Sequence, residues 1–132
     1  MIQVEDIDHI PDLPWNMTSE KEFMLTEPGV RDLLLKFSSP IKAIKRGDKV
    51  IAVMGLFRAV LTDPPFFWAL LSRDFDKAAV RALKKVSFPG CITYVEQGNE
   101  KAERLARCFG FKLIDGGVLM GETMYDIYRR AG

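Results

Sequence analysis

The segment Asn99-Glu100-Lys101-Ala102-Glu103-Arg104-Leu105-Ala106-Arg107-Cys108-Phe109-Gly110-Phe111 constrains the fold more than any other part of the chain. Ala102, Leu105, Ala106 and Phe109 recur at i, i+3, i+4 and i+7, so they share one helical face. Asn99 is a good N-cap, because its side-chain oxygen can accept from an otherwise unpaired first-turn N–H. Glu100 suits the positive end of the helix, and Glu100–Arg104 reads as an i,i+4 ion pair in the better orientation. Gly110 can take the left-handed conformation that ends a helix, and Phe111 then starts a strand. The segment therefore predicts a helix docked on a sheet.

The rest of the chain supplies that sheet. Met1 to Val4 reads as a short first strand, and Pro11 and Pro14 then break regular structure. Ser19 and Glu22 form a capping-box pair that opens a helix through Leu25. After Pro28-Gly29, the positions Val30, Leu33, Leu34 and Phe37 give a second helical face, ended by Ser38-Ser39-Pro40. Ile41 to Lys45 and Val50 to Phe57 read as two strands. Arg46-Gly47-Asp48 is the hairpin turn between them rather than an adhesion motif. Phe66 to Leu71 is a continuous apolar run, the pattern of a central strand buried on both faces. A helix is expected from about Phe75 to Val86, with Phe75, Ala79, Leu83 and Val86 inward. A core strand Cys91 to Val95, the Asn99 helix, a strand Phe111 to Ile114, a Gly-rich turn and a final strand Tyr125 to Arg129 complete the order. That order is mixed α/β with a central βαβαβ section, expected as a single domain over residues 1–132.

Composition removes several function classes. The formal net charge of +1 gives no global pull toward nucleic acid or acidic membranes. No apolar run reaches membrane-spanning length, so no membrane partner is expected. The start Met1-Ile2-Gln3-Val4-Glu5-Asp6 lacks the basic-then-apolar order of a signal peptide. Cys91 and Cys108 have no ligand-type neighbours at metal spacing and are read as reduced, buried thiols. His9 is the only histidine, so no His-based metal site is expected and a catalytic triad has no identifiable nucleophile.

At these offsets, Asn99, Ala102, Leu105 and Gly110-Phe111 resemble the last helix of the GNAT fold of N-acetyltransferases. The resemblance implies a mixed, mostly antiparallel sheet with a central, splayed parallel strand pair and helices on both faces. It also implies an acetyl-CoA site where those strands part. Its pyrophosphate would rest on the N–H groups opening the following helix. The family writes that loop as Arg or Gln, two residues, Gly, one residue, then Gly or Ala. Here it reads Arg73-Asp74-Phe75-Asp76-Lys77-Ala78. Arg73 and Ala78 fit. Asp76 replaces the central Gly, where a carboxylate crowds the seat, repels an anion and can itself cap the helix.

Two further positions depart from the family. Active members often carry a Tyr seven residues after the helix Asn, as the acid that protonates the leaving thiolate. That place is held by Ala106, which has no proton to give. The strand Phe66 to Leu71 also lacks the Glu that commonly serves as base; Asp74, Asp76 and Glu96 are nearby alternatives, directly or through water. No catalytic residue and no cofactor are therefore expected. In the alternative, active form, Leu71, Arg73, Asp76, Lys77, Ala78 and Asn99 would line an acetyl-CoA site.

Over roughly residues 30 to 130 the resemblance extends to one branch. Gly47-Asp48 leading to Ala52-Val53-Met54-Gly55, then Phe67 to Ser72, Thr93-Tyr94-Val95, Asn99, Arg104-Leu105, Gly110-Phe111 and the aromatic–basic end Tyr125 to Arg130 are similar to the GNAT-like internal virion proteins of short-tailed phages and related prophages. That likeness implies a virion-associated or assembly protein. Its location would be the particle, or the host cytoplasm before assembly. Its partners would be other virion proteins and copies of itself. Docking segments would be Ile10-Pro11-Asp12-Leu13-Pro14-Trp15 and Asp63-Pro64-Pro65-Phe66, if their aromatics stand exposed. Lys77, Arg81, Lys84 and Lys85 share one helix face able to track phosphates. A solvated outer face explains that stripe as well, so nucleic acid is only a minor expectation.

Overall fold

The computed structural model describes residues 2–11, 29–58 and 64–132. The helix expected over Ser19 to Leu25, and the portions 12–15 and 63 of the two docking segments, lie outside them. The elements are β1 (Ile2–Asp6), α1 (Val30–Phe37), β2 (Ser38–Arg46), β3 (Lys49–Phe57), β4 (Phe66–Leu71), α2 (Lys77–Lys84), β5 (Cys91–Glu96), α3 (Glu100–Cys108), β6 (Lys112–Met120) and β7 (Thr123–Arg130). They build one seven-stranded sheet in the order β1-β2-β3-β4-β5-β7-β6.

β1 to β4 form an antiparallel meander. Gly47, at φ 62°, makes the β2–β3 turn where a side chain would be strained. β4 and β5 run parallel, joined at a single registered pair, Phe66 opposite Ile92. β7 and β6 follow antiparallel. The sheet is thus the mixed, mostly antiparallel one with a single parallel pair.

β3 is buried on both faces, and its alternation divides the core. Ala52, Met54 and Leu56 join Phe67 in a cluster with Ala79 and Leu83 of α2, Ala106 of α3, and Phe109 and Phe111. Val53 joins Ala43, Trp68, Leu70 and Leu34 of α1 in the second cluster. α2 and α3 therefore cover one face and α1 the other. The Trp68 Nε1–H donates to Ser38 Oγ at 2.9 Å, which satisfies the one polar atom of that buried ring.

Several local expectations are corrected. The second helix is shorter than Phe75 to Val86, because Asp76 is extended at φ −134° and caps it, and Lys85 ends it. Phe75 and Val86 still contribute to the core from outside the helix. The Gly-rich turn is shorter than expected: it lies at Gly121-Glu122, and β6 runs through Gly116-Gly117 to Met120 with register shifts against β7 between Leu113 and Val118. The extra residues are absorbed as bulges, with Gly117 at φ 76°. In the βαβαβ section, β7 sits between β5 and β6. On α3 the ion pair is Glu103–Arg107 at 2.8 Å rather than Glu100–Arg104. Cys91 is buried, whereas Cys108 is only partly so. β4 is the central strand expected, with Phe67 buried on one face and Trp68 and Leu70 on the other, but its pairing with β5 ends after one residue pair.

Candidate functional site

The end of β4 passes into α2 through Ser72 to Asp76, and this loop consumes its own donors. The Ser72 N–H donates to the Ile51 carbonyl at 3.1 Å, and the Phe75 N–H to the Ser72 carbonyl at 3.2 Å. The Asp74 N–H donates to Ser72 Oγ at 3.2 Å, and the accepting serine is itself buried. At the helix start, Asp76 Oδ1 accepts from the Ala79 N–H at 3.0 Å. An anion arriving at this helix N-terminus finds a carboxylate already on the first-turn donors.

The tip of the β2–β3 hairpin holds the loop from the other side. Arg46 Nη2 donates to Asp76 Oδ2 at 2.6 Å, and Lys49 Nζ lies 2.8 Å from Asp74 Oδ2. The two residues flank the Gly47-Asp48 turn, so a single hairpin places both cations. The Ala79 N–H, and then the Arg46 side chain, hold the Asp76 carboxyl below its ordinary 3.8. Both acids of the loop are thereby paired with a cation, while Arg73, Lys77, Arg81, Lys84 and Lys85 stand exposed around them.

Beyond the Phe66–Ile92 pair the two parallel strands part. The Thr93 hydroxyl donates to the Phe67 carbonyl at 3.1 Å, standing in for the ladder where it has ended. The gap opens a cavity of about 270 Å³ between the strands and α3. Leu71, Asn99 and Ala106 all contribute to its wall, so the structure brings these three sequence candidates together. Asn99 also caps α3, its Oδ1 accepting from the Ala102 N–H at 3.1 Å. Arg73, Asp76, Lys77 and Ala78 do not line the cavity; they cluster at the α2 N-terminus. The sequence candidates therefore fall into two groups, one at the capped and ion-paired start of α2 and one on the wall of an open apolar groove.

Sequence reasoning missed two groove residues that carry a proton. Tyr94 and Tyr125 line the cavity that Ala106 also lines, and Tyr94 packs on Phe66 with ring centroids 5.4 Å apart. Tyr125 is paired with Glu96 across β5 and β7, a contact no local pattern announces. Arg46 and Lys49 were missed for the same reason. Among the described residues, no group of His, Cys, Asp and Glu could hold a metal ion. Among the same residues no helix is long and apolar enough to cross a membrane.

The architecture matches solved structures along its whole length. An acetyltransferase of the GNAT family from Bacillus cereus aligns with TM-score 0.66 at 14% identity, covering 99% of this chain and 97% of that one. A Bacillus subtilis acetyltransferase in complex with CoA aligns with TM-score 0.65 at 10% identity, covering 100% and 99%. An aminoglycoside N(6')acetyltransferase from Legionella pneumophila aligns with TM-score 0.59 at 11% identity, covering 98% and 91%. No family model matches the chain, and no curated protein matches it by sequence. The chain has the GNAT fold. At these identities the likeness fixes the architecture, and the chemistry has to be argued from the residues.

Proposed function

We propose that this chain is a GNAT-fold protein that does not catalyse acetyl transfer and acts through protein contacts, as a virion-associated or assembly component of a short-tailed phage. One observation carries the non-catalytic part. Asp76 sits where a pyrophosphate would bind, accepts from the Ala79 N–H and is fixed by Arg46. An incoming diphosphate would have to displace a charge-paired carboxylate and would meet its repulsion on the way. Ala106, on the groove wall, has no proton to offer a departing thiolate. The phage assignment rests on the sequence resemblance over roughly residues 30 to 130.

The open groove favours a second reading, an acetyl-CoA-dependent N-acetyltransferase. Leu71 and Asn99 would then face the pantetheine arm, Arg73, Lys77 and Ala78 the phosphates, and Tyr94 or Tyr125 would replace the missing acid. A thiol-release assay with acetyl-CoA and a panel of primary amines separates the two. The proposed reading predicts release at the uncatalysed rate with every amine. Amine-dependent release abolished by Tyr125→Phe or Tyr94→Phe would establish the second reading instead.

A further inference from the structure

α2 carries its charge on one side only. Lys77, Arg81, Lys84 and the cap residue Lys85 fall at i, i+4, i+7 and i+8, opposite Ala79 and Leu83, which are buried in the core. Each of these cations is exposed, and from Lys77 to Val95 the chain has no Asp or Glu to neutralise them. The acids that precede the helix are already taken, because Arg46 holds Asp76 at 2.6 Å and Lys49 holds Asp74 at 2.8 Å. Among the described residues, the side chains of Arg73, Lys77, Arg81, Lys84 and Lys85 have no hydrogen bond or ion pair. A helix face that is merely solvated interleaves both signs, as α3 does with Glu103 and Arg107. The basic surface also runs on past the helix. Arg130 donates to the Val86 carbonyl at 2.8 Å, and it lines an open depression with Arg129 and Lys112, which face each other across the β6–β7 ladder. In a chain of formal net charge +1, this is a local concentration of positive charge.

We propose that this face of α2 binds the phosphate backbone of a nucleic-acid duplex without reading its sequence. An α-helix rises about 1.5 Å per residue, so Lys77 to Lys85 spans about 12 Å. A B-form duplex carries about one negative charge per 1.7 Å of its axis, so a stripe of that length meets several phosphates at once. A membrane-surface helix needs large apolar side chains beside its cations. Here Val80 packs on the core, and the other uncharged residues on the outer side are Ala78 and Ala82. A protein partner needs an anchor such as an aromatic ring at the centre of the contact, and a single strand needs rings on which its bases stack. Phe75 packs against the core cluster and Phe88 lies within it, so α2 offers neither. Free cations on one straight face are what phosphates require. None of these side chains lines the groove, so duplex binding is independent of whether the groove is catalytic.

Fluorescence anisotropy of short labelled DNA and RNA duplexes, titrated with the full chain, tests this. At about 150 mM salt the dissociation constant should lie between about 1 and 100 μM, the range of sequence-independent binding, and duplexes of unrelated sequence should differ little. The logarithm of the affinity should fall with that of the salt concentration at a slope of about −3 to −4, one phosphate for each of Lys77, Arg81, Lys84 and Lys85. Binding to either duplex meets the proposal, and the tighter of the two names the source of the phosphates. Arg81→Ala with Lys85→Ala reduces the slope by about two. Lys84→Glu weakens binding by about tenfold. Lys36→Glu, the same change of charge on α1 across the sheet, leaves it unaltered. All of these positions are exposed, and a native circular dichroism spectrum confirms that each variant folds. No binding at about 50 mM salt, an affinity indifferent to salt or to the α2 variants, or equal binding to single strands, polyglutamate or phosphatidylserine vesicles overturns the proposal.

Discussion

Arg46 and Asp76 meet at 2.6 Å across 30 residues of sequence, and the contact joins the β2–β3 hairpin to the cap of α2. The folded-state carboxyl of Asp76 lies below its unfolded value, by virtue of the Ala79 N–H first and Arg46 second. Its contribution is therefore present above the ordinary carboxylate range and lost as pH falls through the depressed value. The melting temperature of the unmodified protein should drop more steeply on acidification below about pH 4 than that of Asp76→Asn. Parallel slopes would mean that the cap and the ion pair add nothing.

The site should be repairable only in the right order. Ala106→Tyr alone restores a proton donor to the groove but leaves the anion seat filled, so thiol release from acetyl-CoA stays at background. Asp76→Gly uncovers the first-turn donors. Adding Ala106→Tyr to it should raise release about 100-fold over Asp76→Gly alone, the low end of general acid catalysis. Activity in the Ala106→Tyr single variant would show that Asp76 is no obstacle.

Gly55 lies opposite Trp68 in the β3–β4 ladder, and a Cβ there would fall 2.7 Å from the indole Cζ2. The ring cannot swing clear without losing its bond to Ser38 Oγ. Gly55→Ala should cost about 1–3 kcal/mol in denaturant unfolding, the range for overpacking a filled core. Combining it with Trp68→Phe, which removes the offending ring atoms, should cost less than the sum of the two single changes.

The two thiols should separate kinetically. Burial pushes the Cys91 thiol up, the charges of Arg130 and Arg58 opposing it only in part, and the side chain has no exposed surface. Cys108 is partly exposed near the end of α3. A disulfide reagent at neutral pH should modify Cys108 first and Cys91 only on unfolding. Two thiols reacting at one rate would contradict this placement.

The local features were legible because local chemistry determines them. Asn99 caps α3, Asp76 caps α2 and Gly47 turns the β2–β3 hairpin as their side chains and offsets predict. The insertion of β7 between β5 and β6 was not legible, because strand order depends on pairings such as Val95 with Asp126 that no short pattern encodes. The Gly-rich stretch was legible as a turn only in part, since Gly121 makes the turn while Gly116-Gly117 serves a bulge within the strand. The groove was only half visible. Leu71, Asn99 and Ala106 lie at family positions, whereas Tyr94 and Tyr125 reach it through the parting of β4 and β5. The hairpin clasp was hidden altogether: alternating basic residues reveal a strand but not which acids they meet.

Titration calorimetry of the unmodified protein with acetyl-CoA tests the central claim most directly. On the proposal that Asp76 takes the place of the pyrophosphate, no binding heat should appear below roughly 100 μM ligand, a concentration at which working enzymes are commonly engaged. The Asp76→Gly protein, measured alongside, should bind. A dissociation constant tighter than that for the unmodified chain would contradict the account and leave the acetyltransferase reading in its place.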